Sequence, residues 1–219
     1  MKVLIADDHA VVRRGLMQIL KDKFPEITIG EAATAQETLE QVWNDRWDVV
    51  VLDISMPGRS GLDALKEIKT SHPKVPVLIL SIESERQFGV RVIKAGAAGF
   101  LNKDSAPETL VCAVRKLLSG HRYISPSLAE QLANDAAHGS TVLPHERLSD
   151  REFEILLKIT SGNTVGQIAE AFGLSVKTVS THRTRILEKM GMVSNAELTH
   201  YAMIHNLFSR DDSNHDLSP

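Results

Sequence analysis

The chain has 219 residues, 42% of them hydrophobic and 24% charged, with a formal net charge of −3. That length holds one large domain or two small ones, and the balance excludes a largely disordered chain. Its apolar runs, such as residues 49–52 and 75–80, are too short to span a bilayer, which excludes a membrane protein of the helical kind and leaves membranes out of the expected partners.

The opening stretch, MKVLIADDH, reaches paired aspartates by residue 7, so no secretory signal is expected. A single cysteine, Cys112, allows no internal disulfide and fits a cytoplasmic protein. Residues 1–120 then alternate strands with helices. The strands are expected at 3–6, 28–31, 49–52, 77–80 and 99–101. Three of them are nearly continuous aliphatic runs, the pattern of strands buried on both faces of a parallel sheet. A helix over 109–118 repeats Leu110, Val114 and Leu117 at helical spacing and stops at Gly120. This alternation predicts an α/β domain with helices on both faces of an open sheet. Residues 121–147, with Pro126, Gly139 and Pro144, read as a linker holding one helix over 127–137. From Leu148 the pattern turns wholly helical. Ser149 with Glu152, Thr164 with Gln167 and Ser194 with Glu197 each form a capping-box spacing ahead of an apolar run. With a further helix from Ser175 to Met190, residues 148–208 form an all-α four-helix domain. Residues 209–219 form a polar tail.

Five side chains fall past the carboxyl ends of strands, where open α/β sheets place their sites. Asp7 and Asp8 follow strand 1, Asp53 ends strand 3, Ser81 ends strand 4 and Lys103 follows strand 5. Three clustered carboxylates repel one another unless a cation compensates. Mg²⁺, a hard ion with oxygen ligands, fits them. Asp8 is the expected direct ligand, Asp7 acts partly through water, and the Ser55 main-chain carbonyl is a further candidate. Asp53 is the best nucleophile, because a carboxylate can form an acyl phosphate. Lys103 and Ser81 would then meet the phosphoryl oxygens. A glycine-rich phosphate loop does not follow strand 1, which argues against a nucleotide-binding enzyme.

Asp7–Asp8, LDISMPGRSG (52–61), LILS (78–81) and AAGFLNKD (97–104) together resemble the receiver domain of two-component response regulators. The resemblance implies a five-stranded parallel flavodoxin-like sheet. It also implies phosphoryl transfer from a sensor histidine kinase to Asp53, and a slow autocatalytic hydrolysis. Ser81 and Phe100 are implied as the switch pair. The family commonly has Tyr at the Phe100 position, so here packing alone must hold the inward state. Such a protein is not an enzyme on a separate substrate; it is a phosphoacceptor that assists its own modification.

Residues 164–172, a turn at Gly173–Leu174 and residues 175–190 have helix-turn-helix dimensions. Residues 1–120 carry equal numbers of acids and bases, as do residues 149–208. Between 175 and 190, Lys177, Arg183, Arg185 and Lys189 face one acid, Glu188. A basic helix of this kind suits phosphate contact and entry into the major groove. LSDREFEIL (148–156), SGNTVGQIAEAFGLSVKTVSTH (161–182) and ILEKMGM (186–192) resemble the LuxR/NarL/FixJ DNA-binding domain. That resemblance implies promoter DNA as partner, a homodimer when phosphorylated or DNA-bound, and RNA polymerase as a further candidate partner. The expected DNA contacts are Lys177, Thr178, Ser180, Thr181, His182, Arg185 and Lys189. His182 serves equally well as a phosphate contact or as an intradomain hydrogen-bonding group. Gly166 departs from the family pattern and should weaken its helix by up to about 1 kcal/mol relative to alanine. Residues 195–207 form the expected DNA-bound dimer surface. The leading expectation is a phosphorylation-controlled transcription regulator. Its alternatives are a phosphorylation-independent regulator whose receiver is a dimer scaffold, and an α/β phosphotransfer enzyme with an incidental helical domain.

Overall fold

The computed structural model describes residues 1–137, 143–205 and 207. The chain divides into two compact units, Met1–Gly139 and Ser140–Pro219. Among the described residues no helix is long and apolar enough to cross a membrane. The expected tail, 209–219, lies outside the described residues.

In the first unit, strands β1 (Lys2–Ala6), β2 (Thr28–Ala32), β3 (Val49–Asp53), β4 (Val77–Ser81) and β5 (Gly99–Asn102) alternate with helices α1 (Ala10–Lys23), α2 (Ala35–Asn44), α3 (Gly61–Ser71), α4 (Glu85–Lys94) and α5 (Ala106–Leu118). All pairings are parallel, in the order β2-β1-β3-β4-β5. Every residue of β3 and β4 is buried, which is why both read as unbroken apolar runs rather than as alternation. One face of the sheet sends Val3, Ile5, Val49, Val51, Leu78 and Leu80 against Leu16 and Leu20 of α1 and Leu110, Val114 and Leu117 of α5. The neighbouring residues Leu4, Val50, Leu52 and Ile79 point to the other face and are also buried. Burying each such side chain contributes about 1.5–3 kcal/mol. The strand order reverses between β1 and β3, which opens a crevice at their carboxyl ends. The strands run up to one residue beyond each expected bound. Helix α5 starts three residues early, because Pro107 sits in its first turn, where a missing N–H costs nothing.

The expected linker is not a free connector where it is described. Tyr123 pairs with the open edge of β5: its amide donates to Ala98 O (2.9 Å), and Phe100 N donates to Tyr123 O (3.4 Å). Gly99 is needed there, since a Cβ would lie 2.6 Å from Tyr123 O. Helix α6 (Pro126–Ala137) then lies on α4. Leu128 is fully buried and closes on Gly89, Ser125 and Ser127 hydroxyls donate to Glu85, and Asp135 pairs with Lys94 at 2.8 Å. Residues 121–137 therefore extend the first unit. Residues 143–147 belong to the second, because His145 Nδ1 hydrogen-bonds Tyr201 Oη (2.8 Å) and its ring packs on Phe153.

The second unit contains α7 (Asp150–Thr160), α8 (Val165–Ala171), α9 (Val176–Met190) and α10 (Asn195–Ile204), preceded by a 3-10 turn over Pro144–Arg147. Phe153, Ile155, Leu156, Ile168, Val179, Ile186, Leu198 and Ala202 form its core. Gly173, at φ 62°, makes the tight turn between α8 and α9. The capping boxes at Ser149–Glu152 and Thr164–Gln167 form as expected. At Ser194 the pattern shifts: the Glu197 carboxylate reaches one residue further back and accepts from Val193 N at 3.0 Å. Helix α10 ends at Ile204, short of the expected Leu207.

Candidate functional site

The turn after β1 holds Asp7 and Asp8. Asp7 is fully buried. Its amide donates to Ala32 O (3.1 Å), and its Oδ1 accepts from His9 N (2.8 Å). Arg13, one turn into α1, donates to Asp7 O at 2.7 Å and fixes the main chain. Asp53, the last residue of β3, is also fully buried, and its Oδ1 accepts from Ser55 N at 3.0 Å. Lys103 leaves the end of β5 and reaches both acids: its ammonium lies 2.7 Å from Asp53 Oδ2 and 2.8 Å from Asp7 Oδ2. Ser81 is buried at the end of β4, and its Oγ accepts from Glu83 N at 3.0 Å. Of the five strand-end side chains predicted from the sequence, Lys103 joins Asp7 and Asp53 directly, and Ser81 ends the strand beside that of Asp53. Phe100, on β5 beside Ile79 of β4, is also buried.

Burial pushes the Asp53 carboxyl above the ordinary aspartate range, and the nearby Lys103 offsets only part of that; Asp7 adds to the rise. For Lys103, burial disfavours the charge, but Asp53 and Asp7 together outweigh it and hold the ammonium above its ordinary range. One cation is thus shared by two buried acids.

Ligand atoms of Asp7, Asp8, Asp53 and His9 lie within 4.8 Å of one another. The carboxylate oxygens of the three aspartates suit a hard divalent cation. His9 was not foreseen. It directly follows the paired aspartates, and its Nδ1 stands 2.7 Å from Asp8 Oδ1. Arg13 and Gly61 were also missed. A Cβ on Gly61 would stand 2.0 Å from Asp53 O, so only glycine lets the loop after β3 close over the acid.

On α9, Lys177, Ser180, Thr181 and Arg185 are exposed, as a groove-reading face requires. Thr178 is half-buried, and its amide and hydroxyl are both bonded to the Ser175 hydroxyl of the cap. His182 is turned inward. Burial lowers its pKa, the Glu152 charge opposes this, and Arg185, Arg151 and Lys189 lower it further. Its Nδ1 is buried, and through that nitrogen it makes no intradomain hydrogen bond among the described residues. Lys189 pairs with the buried Glu152 at 2.6 Å, tying the end of α9 to the start of α7. Around Gly166 the nearest atom to an added Cβ is Thr164 Oγ1 at 3.9 Å, so nothing in the packing demands glycine.

Residues 3–115 match the family described as response regulator receiver domain, and residues 146–202 match the bacterial regulatory proteins of the luxR family. The response regulator UvrY of Escherichia coli strain K12 is 39% identical over 206 residues, 94% of each chain. The response regulator GacA of Pseudomonas protegens is 37% identical over 206 residues, 94% of this chain and 97% of that one. Among solved structures, RcsB from Salmonella enterica serovar Typhimurium, bound to a promoter in the presence of the phosphomimetic BeF3⁻, aligns with a TM-score of 0.61. It is 27% identical, over 92% of this chain and 97% of that one.

Proposed function

The chain belongs to the response regulators that join a receiver to a LuxR-family DNA-binding domain, and from that membership we propose that phosphoryl transfer to Asp53 controls pairing of two chains on promoter DNA. The observation that carries this is the buried Asp53 sharing the Lys103 ammonium with Asp7. A carboxylate oxygen of Asp53 attacks the phosphorus of a kinase phosphohistidine. The new O–P bond forms as the N–P bond breaks, and the electron pair returns to the imidazole. Lys103 can follow its charge from Asp53 Oδ2 to a phosphoryl oxygen. Ser81 accepts from Glu83 N, which leaves its hydroxyl hydrogen for another phosphoryl oxygen. Water later attacks phosphorus, releasing inorganic phosphate and restoring Asp53.

Asp7, Asp8, Asp53 and the Ser55 main-chain carbonyl are the groups that would hold Mg²⁺. When bound, the ion supplies positive charge against the crowded carboxylates and the incoming phosphoryl group. Phosphorylation adds about 1.5 to 2 negative charges at Asp53. Drawing Ser81 toward them moves the turn ahead of α4, with Phe100 repacking behind it. The change biases a two-state equilibrium rather than making a new fold. Lys177 and Arg185 contact phosphates, while Ser180 and Thr181 face base edges. Thr178, His182 and Lys189 act at most at the margin of this surface. The sensor kinase, promoter DNA and, downstream, RNA polymerase are the partners, and the cytoplasm is the compartment that this reading requires.

The test is operator binding by the full chain and by Asp53→Asn, each with and without acetyl phosphate and Mg²⁺. Binding by the unaltered chain should tighten with phosphodonor, while Asp53→Asn should not respond. Equal binding in all four conditions would favour the phosphorylation-independent alternative.

A further inference from the structure

The outer face of α9 is unusual in what it offers to a groove. Val176, the first residue of the helix, is 57% exposed, while burial in this helix falls to Val179, Ile186 and Met190. At 100° per residue, Val176, Ser180 and Thr184 fall in one row, with Lys177 and Thr181 in the row beside it. The two outer threonine hydroxyls are already engaged. Thr181 Oγ1 donates to Lys177 O at 3.0 Å, and Thr184 Oγ1 donates to Ser180 O at 3.2 Å. With those hydrogens held by the helix's own carbonyls, each threonine adds a methyl group and oxygen lone pairs to the surface. No acid occupies the first turn, so the positive end of the helix is left open to phosphates. Lys177 reinforces it.

We infer that Val176, Thr181 and Thr184 form a methyl-lined reading face that selects thymine through its C5-methyl group. This inference rests on α9 being the helix that enters the major groove. There a thymine is distinguished by one apolar feature, the methyl, and small apolar groups on the protein are its natural complement. The N-terminal residues of a recognition helix lie closest to base edges, which is where Val176 stands. Arg185 and Lys177 hold the backbone, and Ser180 supplies the hydroxyl of this face that has no hydrogen-bond partner among the described residues. Val176 and Thr184 are thus specificity residues that motif spacing alone did not single out.

The test uses the full chain treated with acetyl phosphate. Operators are selected from random duplexes, and each thymine of the selected site is replaced in turn by deoxyuridine, which removes only the methyl. At one or more thymines per half-site the replacement should weaken binding roughly 3- to 5-fold, the worth of one buried methyl group. In Val176→Ala or Thr184→Ala, whose altered side chains are exposed and leave the core intact, the same replacement should have less effect at one of those thymines. A selected site indifferent to every uracil replacement overturns the methyl reading while leaving α9 as the DNA-binding helix. Uracil effects that persist unchanged in both variants and in Thr181→Ala overturn it as well. Selection of no consensus overturns the groove-entry reading and this one together.

Discussion

Gly61 shows how a single residue sets the geometry of the pocket. Asp53 can announce itself in the sequence, because an acid closing an apolar strand is conspicuous. The glycine eight residues later cannot, because its role exists only once the loop folds back onto the Asp53 carbonyl. Gly61→Ala places a methyl against backbone, and backbone cannot yield as a flexible side chain can. The expected result is a loss of about 1–3 kcal/mol in a chemical melt, together with slower phosphorylation by acetyl phosphate than in the unaltered chain. Asp7, Asp8, Ser81 and Lys103 were legible for the same reason as Asp53: each is a polar residue next to a strand end. His9 and Arg13 were not, because a histidine or arginine beginning a helix is ordinary until its Asp7 contacts are seen. On α9 the sequence located the exposed Lys177, Ser180, Thr181 and Arg185. Spacing alone did not show that Lys189 is bound to Glu152 and His182 turned inward.

Two helix–helix contacts, one in each unit, stabilise the fold. Leu128 of α6 is fully buried against α4 beside Gly89. Leu128→Ala should cost about 2–5 kcal/mol of first-unit stability, read as a lower denaturant midpoint, and a polypeptide ending at residue 120, which also lacks the Tyr123 pairing and the Glu85 and Lys94 contacts, should lose at least as much. The sequence marked a helix here but gave it no partner, since a loose apolar patch does not say what it covers. The second contact is Glu152 with Lys189. Burial raises the pKa of Glu152, but the bonds from Lys189 and Ser149 outweigh it and leave the carboxyl below its ordinary value of 4.5. A depressed acid stabilises the fold fully above that value, and the contribution fades as pH falls through the lowered one. Glu152→Gln keeps a capping-box residue but removes the charge. It should cost about 1 kcal/mol at pH 7, since water screens the open lysine. The cost in thermal melts should shrink below about pH 4.5, as the unaltered carboxylate becomes protonated.

For the whole molecule, the net charge of −3 is a poor guide to the partner. Charge on α9 is local, and phosphate contacts act over about 10 Å at ordinary salt. Lys177→Ala with Arg185→Ala should weaken DNA binding of every sequence and flatten the slope of log affinity against log salt by about two, near one for each lost contact. Phosphorylated full-length chain should also show a mass shift from one chain toward two by light scattering, absent in Asp53→Asn. Such pairing would make two weak half-site contacts act as one linked event.

The two domains, the parallel sheet, the acids at its strand ends and the basic helix are legible from the residues alone. Each is written locally, in apolar runs, strand-end polar residues, capping spacings and the charge of a single segment. The tertiary structure alone decided that residues 121–137 extend the receiver instead of tethering it, because the open edge of β5 and the apolar side of α4 needed covering. It alone decided that one lysine serves two buried acids. It also decided which polar groups of α9 are engaged within the protein, since a hydroxyl or ammonium finds its partner only when distant segments are brought within about 3 Å.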